Sequence, residues 1–188
     1  VIGQPLDLTP IQSGIPALVE GLSAENSAAA AEAIMTTDTI LKELAVSFTV
    51  GGKECRIGGI AKGSGMIHPN MATMLVFITT DAAVSPAMLQ KALSCDVTNT
   101  FNMLSVDGDT STNDTLLVLA NGCAGNAEIT AEDENYAKVK EALHYVNMTL
   151  AKKMAGDGEG ATALFETKVI NAKTKEDARI LAKSVICS

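Results

Sequence analysis

Thr73 follows Ala72 where a glycine-rich, proline-bearing loop runs into an apolar strand: Ala61-Lys62-Gly63-Ser64-Gly65-Met66-Ile67-His68-Pro69-Asn70-Met71-Ala72-Thr73-Met74-Leu75. A small residue before a hydroxyl residue at a strand's mouth can serve an N-terminal nucleophile. The Thr73 hydroxyl attacks the Ala72 carbonyl, the acyl group moves from nitrogen to oxygen, and hydrolysis of the ester frees the Thr73 α-amine. That amine, with a reference pKa of about 7.7–8.0, can act as base for its own hydroxyl, so no histidine is required. Thr73 also fits a plainer role, as a β-branched residue opening a strand.

The other chemistry-bearing residues are poorly grouped. The two histidines, His68 and His144, lie far apart. His144 falls on a helical stretch and suits packing or surface; His68, in the loop, is given no role. Asp107 to Asn113 alternates oxygen ligands, but a calcium loop needs Gly at its sixth position and Glu at its twelfth, where Thr112 and Val118 stand. An Asx-rich turn is expected there instead. Lys62-Gly63-Ser64 has the wrong order for a phosphate-binding loop, and Gly156, Gly158 and Gly160 have the wrong spacing for a dinucleotide fingerprint. Cys55, Cys95, Cys123 and Cys187 form no Cys-x-x-Cys pair. They are expected as buried or partly buried thiols in a reducing cytoplasm, with neither a zinc site nor another metal.

These residues must be positioned by mixed elements. Pro10–Leu22 and Ala28–Met35 read as short helices, the second capped by Asn26-Ser27. Val46–Val50, Gly51-Gly52 and Glu54–Ile60 read as a β-hairpin. Met74–Thr79 is apolar at both alternating sets of positions and predicts a central strand covered on two sides. Ser85-Pro86 starts a helix that runs to about Asp96. Phe101–Val106 and Thr115–Ala120 are expected as strands. Glu132–Met154 is the clearest helix, with Tyr136, Val139, Leu143, Val146, Leu150 and Met154 at three- and four-residue steps. Gly156–Gly160 stops it. Ala163–Val169 alternates like a strand with one wet face, and Lys175–Ile186 closes as an amphipathic helix. The predicted fold class is an α/β (α+β) layered sandwich of sheets packed with outer helices, as one unit over 1–188.

Composition narrows the function classes. Among 188 residues, 14 Lys+Arg stand against 22 Asp+Glu, a net charge of −8, and aromatics are 3%. Such a chain is a poor partner for nucleic acid. The apolar runs, of about five residues, fall well short of the roughly 20 that a membrane-spanning helix needs. No signal-peptide pattern opens the sequence at Val1-Ile2-Gly3, and both ends read as cut.

The run Lys62–Leu75 resembles the self-cleavage signature of the glutamate N-acetyltransferase/ornithine acetyltransferase family of arginine biosynthesis. Four further stretches agree in the same order: Val1-Ile2-Gly3-Gln4-Pro5-Leu6, Ala33-Ile34-Met35-Thr36-Thr37-Asp38-Thr39, Val106-Asp107-Gly108-Asp109-Thr110-Ser111-Thr112-Asn113-Asp114-Thr115, and Asp157-Gly158-Glu159-Gly160-Ala161-Thr162. The resemblance implies that family's sheet-and-helix fold and cleavage between Ala72 and Thr73, giving chains 1–72 and 73–188. It implies that Thr73 then takes the acetyl group from N-acetylornithine and passes it to glutamate, with acetyl-CoA as a further donor in some members and no cofactor. The substrate-binding positions it implies are Thr36, Lys62, Thr73 and Glu159.

The residue types suit those roles. Lys62 can pair with a carboxylate, Glu159 can receive an ammonium, and Thr36 can donate or accept a hydrogen bond. Each also has a plain structural role, as a loop charge, a turn residue and a helix-end hydroxyl. The resemblance further implies an oxyanion Thr-Gly pair before Val1 and a C-terminal Asn and hydroxyl residue beyond Ser188, and it departs from the family at Ala163, where Lys is common. Cytoplasmic assembly as a dimer of two-chain protomers is the expected state. Two competitors remain: an N-terminal-nucleophile aminopeptidase or amidohydrolase that sends its acyl group to water, and a non-catalytic fragment that needs partner segments.

Overall fold

The diglycine Gly51-Gly52 takes φ values of +54° and +76°, the left-handed pair that a two-residue hairpin turn requires and that glycine adopts without strain. It joins β1 (Lys42–Val50) to β2 (Lys53–Lys62) in an antiparallel ladder with Val50 opposite Lys53. β3 (Leu75–Thr80) returns antiparallel to β2, and β4 (Thr115–Ala120) runs parallel to β3, giving the order β1-β2-β3-β4. The computed structural model describes residues 3–68, 74–111 and 113–188.

Helices cover the sheet unevenly. Between β3 and β4 the chain forms α3, which together with a second, longer helix builds the layer on one face; these are Pro86–Val97 and α4 (Glu134–Gly156), labelled after α1 (Thr9–Glu20) and α2 (Ser27–Ala33). α4 lies on β1 and β2 and packs on α3. Its buried stripe, Tyr136, Val139, Leu143, Val146, Leu150 and Met154, is the one its spacing predicts. These side chains meet Ile57, Val76 and Ile78 from the sheet in one core. Gly59 permits the close approach: a Cβ there would stand 3.0 Å from Ile78 Cγ1 and 3.3 Å from Leu150 Cδ1. Asp96 of α3 clamps α4, accepting from Asn147 Nδ2 at 2.6 Å and pairing with His144 Nδ1 at 2.6 Å. His144 is thus a surface residue of the helix, as its position suggests.

The opposite sheet face is partly open. Phe77 is half-buried and Thr79 exposed on β3, while Val76, Ile78 and Thr80 are buried. β3 is therefore an inner strand fully covered on one face only. Ser27 and Ala30 of α2 line a wide groove there with Ile60 and Phe77. α1 buries no residue among the described contacts, and its Ile11, Ile15, Leu18 and Val19 face solvent.

Several local expectations are corrected. Phe101–Met103 is a 3₁₀ turn, because Met103 and Leu104 donate locally to the Thr100 and Phe101 carbonyls at 2.9 and 3.1 Å. Residues 163–169 form no strand. That segment has no ladder neighbour among the described residues, and Glu166 is drawn instead to Lys152 of α4 at 2.8 Å. Neither Asn26 nor Ser85 caps its helix through its side chain; Asn26 Nδ2 donates to the Gly21 carbonyl at 3.1 Å. The thiols differ too: Cys55 is buried, but Cys95, on the outer side of Pro86–Val97, Cys123, in a turn, and Cys187, near the C-terminus, are exposed. The final helix, α5 (Lys175–Ile186), is capped by Thr174, whose hydroxyl accepts from Asp177 N–H at 3.0 Å. No described helix is long and apolar enough to cross a membrane.

Candidate active site

The end of β2, the turn after α2 and the turn after α4 meet around one cavity of about 380 Å³. Thr36, Lys62 and Glu159 all line it, with Ser64, Asp107 and Asp109. Three of the four substrate positions implied by the resemblance, scattered over the sequence, are thereby brought together. Ala72 and Thr73 lie outside the described residues. Lys62 is buried and extends its ammonium to Thr36 Oγ1 at 3.5 Å, the outer limit of a hydrogen bond. Glu159 is exposed and packs its carboxylate over Gly65, where a Cβ would stand 2.9 Å from Glu159 Cδ and Oε1.

A buried ion network underlies these residues. Lys42 Nζ lies 2.6 Å from Asp38 Oδ1 and 2.5 Å from Asp157 Oδ2, and all three side chains are almost wholly withdrawn from solvent. Asp38 also accepts from Gly63 N–H at 2.7 Å and from Thr36 N–H at 3.2 Å. Asp157 accepts from Thr39 N–H at 3.0 Å and from the Thr39 hydroxyl. Ser64 ties the ring closed: its carbonyl accepts Glu159 N–H at 2.7 Å and its hydroxyl bonds the Thr37 hydroxyl at 2.6 Å. One cation thus fixes the backbone beside Thr36 and Lys62 and, through the turn at 157–159, beside Glu159.

The electrostatics follow from those contacts. Burial works to raise the Asp157 carboxyl, but the Lys42 ammonium and the Thr39 hydroxyl and N–H outweigh it and hold it at about 2, against an ordinary 3.8. Burial also raises Asp38, and the Gly63 N–H, Lys42 and the Thr36 N–H bring it below the ordinary value. Asp114 behaves oppositely. Burial raises it, and Met74 N–H and the field of Lys62 offset only part of that rise.

Within the Asp107–Asn113 stretch, residues 107–109 form an Asx turn of the kind its composition suggests. Asp107 Oδ1 accepts from its own Asp109 N–H at 3.1 Å and from Ile67 N–H at 3.1 Å. His68 touches Ser105, with Nδ1 and Oγ 3.1 Å apart. Residue chemistry alone did not single out Asp38, Lys42 or Asp157. A signal was present, since Asp38 and Lys42 stand four residues apart and Asp38 and Asp157 both fall within the stretches that carry the resemblance.

A family model described as the ArgJ family matches residues 1–188. This chain belongs to the ArgJ family. It is 54% identical over its full 188 residues to the arginine biosynthesis bifunctional protein ArgJ of Caldanaerobacter subterraneus, and 52% identical to that of Thermotoga neapolitana. The chain spans about half the length of these curated ArgJ relatives, 47% in each case. Among solved structures it resembles the arginine biosynthesis bifunctional protein ArgJ of Bacillus halodurans, with a TM-score of 0.56 and 44% identity. That match covers 58% of this chain and 51% of the other. The layered sheet-and-helix architecture expected from the sequence is therefore the architecture of an ArgJ protein.

Proposed function

We propose that this ArgJ-family chain carries part of an acetyltransferase that moves an acetyl group from N-acetylornithine to glutamate in arginine biosynthesis. Cleavage between Ala72 and Thr73 separates 1–72 from 73–188 and frees the Thr73 amine as base for its own hydroxyl. Thr73 attacks the acetyl carbonyl, ornithine leaves, and glutamate takes the acetyl group from the ester. Acetyl-CoA is an alternative donor, and no cofactor takes part. The two cleaved chains stay together and pair into a dimer of heterodimers in the cytoplasm.

The observation that carries this proposal is the convergence of Thr36, Lys62 and Glu159 on one cavity. Lys62 offers a cation for the substrate's carboxylate. The walls set three carboxylates, Asp107, Asp109 and Glu159, against that one ammonium. This balance favours a donor that brings an ammonium of its own, as N-acetylornithine does.

The test uses the full-length protein that contains these residues, with Thr73→Ala beside it. The expected denatured masses are two pieces, joined at Ala72 and Thr73, from the parent and one intact chain from the variant. Ornithine release from N-acetylornithine should then rise on adding glutamate. Release indifferent to glutamate would mean a hydrolase, and identical behaviour of parent and variant would remove Thr73 from the chemistry.

A further inference from the structure

Asp107 and Asp114 grip the chain at two places. At one end Asp107 accepts the backbone N–H groups of Met66 and, at 3.1 Å, of Ile67. Val106 N–H donates to the Ile67 carbonyl beside them at 2.7 Å. At the other end Asp114 Oδ1 accepts Met74 N–H at 2.9 Å, and Thr115 N–H donates to the Met74 carbonyl at 3.0 Å. In sequence, the Ala72–Thr73 bond lies between these two anchorages.

Stability alone does not account for this placement. Met66 is held at φ +53°, a left-handed conformation that a residue with a long side chain seldom adopts, and the Asp107 carboxylate takes its N–H there. Asp114 Oδ2 is buried without a hydrogen-bond partner among the described residues. A carboxylate oxygen so withdrawn from water opposes folding. Both aspartates nonetheless make charge-assisted bonds to main-chain N–H groups, which hold their acceptors and donors more firmly than neutral ones.

We propose that Asp107 and Asp114 are positioning residues for self-cleavage, gripping the chain on both sides of the Ala72–Thr73 bond. This rests on the self-cleavage proposed above. In that step the Thr73 hydroxyl oxygen bonds to the Ala72 carbonyl carbon. The carbon–nitrogen bond breaks, and the Thr73 nitrogen keeps the electron pair and takes the hydroxyl proton. Water then adds to the ester, which releases the Ala72 carboxyl group and restores the Thr73 hydroxyl. Neither aspartate exchanges a proton with the reacting atoms. Their contribution is to fix the backbone at Met66, Ile67 and Met74 before attack, and such positioning makes a unimolecular step faster.

The experiment follows cleavage of newly synthesised full-length protein by denatured mass over time. The chains compared are the parent, Thr73→Ala, Asp107→Ala, Asp114→Ala, the isosteric Asp107→Asn and Asp114→Asn, and Asp133→Ala. Asp133→Ala is a stability control, since Asp133 caps α4 by accepting Tyr136 N–H at 2.7 Å, away from the turn. The expected result is cleavage slowed about tenfold or more in each alanine variant, partly recovered in each asparagine variant, and unchanged in Asp133→Ala despite its lower Tm. If an alanine variant fails to fold, its asparagine counterpart is read in its place and should still lag the parent. Parental rates in the Asp107 and Asp114 variants, or equal slowing in Asp133→Ala, would overturn the proposal while leaving self-cleavage intact. A parent that stays whole would instead overturn self-cleavage and this proposal with it.

Discussion

Lys42 Nζ stands 2.5 Å from Asp157 Oδ2, with both side chains out of solvent. The pair joins the start of β1 to the turn after α4, across 115 residues of sequence. Removing one partner of such a pair leaves an uncompensated buried charge, which costs about 3–5 kcal/mol. Lys42→Met leaves two, Asp38 and Asp157. It should therefore lower stability by at least that range in urea titration, while Lys152→Met, at an exposed pair with Glu166, should change it little. Similar losses in the two variants would show that the buried network is not what secures the turn.

The same network predicts an acid limb. The Asp157 carboxyl is held at about 2, below its ordinary 3.8, so the folded state favours its ionised form. Its contribution is complete above about pH 4 to 5 and is lost as pH falls from 3.8 towards 2, a difference of about 2 kcal/mol. Asp38 and Asp107 are lowered as well and add to the same limb. Asp157→Asn should flatten the stability profile between pH 2 and 4. An unchanged slope in that window would show that Asp157 does not titrate there.

Gly65 offers a way to move Glu159 without disturbing the core. A methyl group at residue 65 would meet the Glu159 carboxylate 2.9 Å away, and that carboxylate is the free end of an exposed side chain. Gly65→Ala should leave Tm nearly unchanged. If Glu159 receives the substrate ammonium, it should raise the KM for N-acetylornithine about tenfold or more, the worth of one hydrogen bond to a charged group. A large fall in Tm, or an unaltered KM, would separate Glu159 from that role.

Lys62 acts on Asp114 through its field. Burial raises the Asp114 carboxyl, and Lys62 is among the groups that restrain the rise. Lys62→Met should therefore move the Asp114 midpoint further up, as read by carbonyl-carbon NMR titration. A midpoint that stays in place or falls would mean that the two groups do not share a field.

Much of the framework was legible because its causes are local. The α4 stripe shows in three- and four-residue spacing, and the hairpin shows in Gly51-Gly52, whose left-handed dihedrals few other residues accept. Where local signals ran ahead of their context, they misled. The alternation in 163–169 suits a strand, but a strand is made by its neighbour, and that segment has none among the described residues. Ser85 and Asn26 have the right side chains for caps, yet Ser85 N–H donates to the Ile129 carbonyl and Asn26 turns back to Gly21.

For the site, Thr36, Lys62 and Glu159 were named by the family resemblance, which their residue types suit. Their meeting in one cavity is a property of the folded chain. Lys42 reaches Asp157 across 115 residues, and Asp114 reaches Met74 across 40. Neither pairing follows from spacing: Lys42 and Asp157 become neighbours only when α4 packs on the sheet, and Asp114 and Met74 only when β4 pairs with β3. Sequence sets which groups are charged and which segments can turn. Packing sets which of those charges are shut away from water together, where the low dielectric makes each partner's position matter.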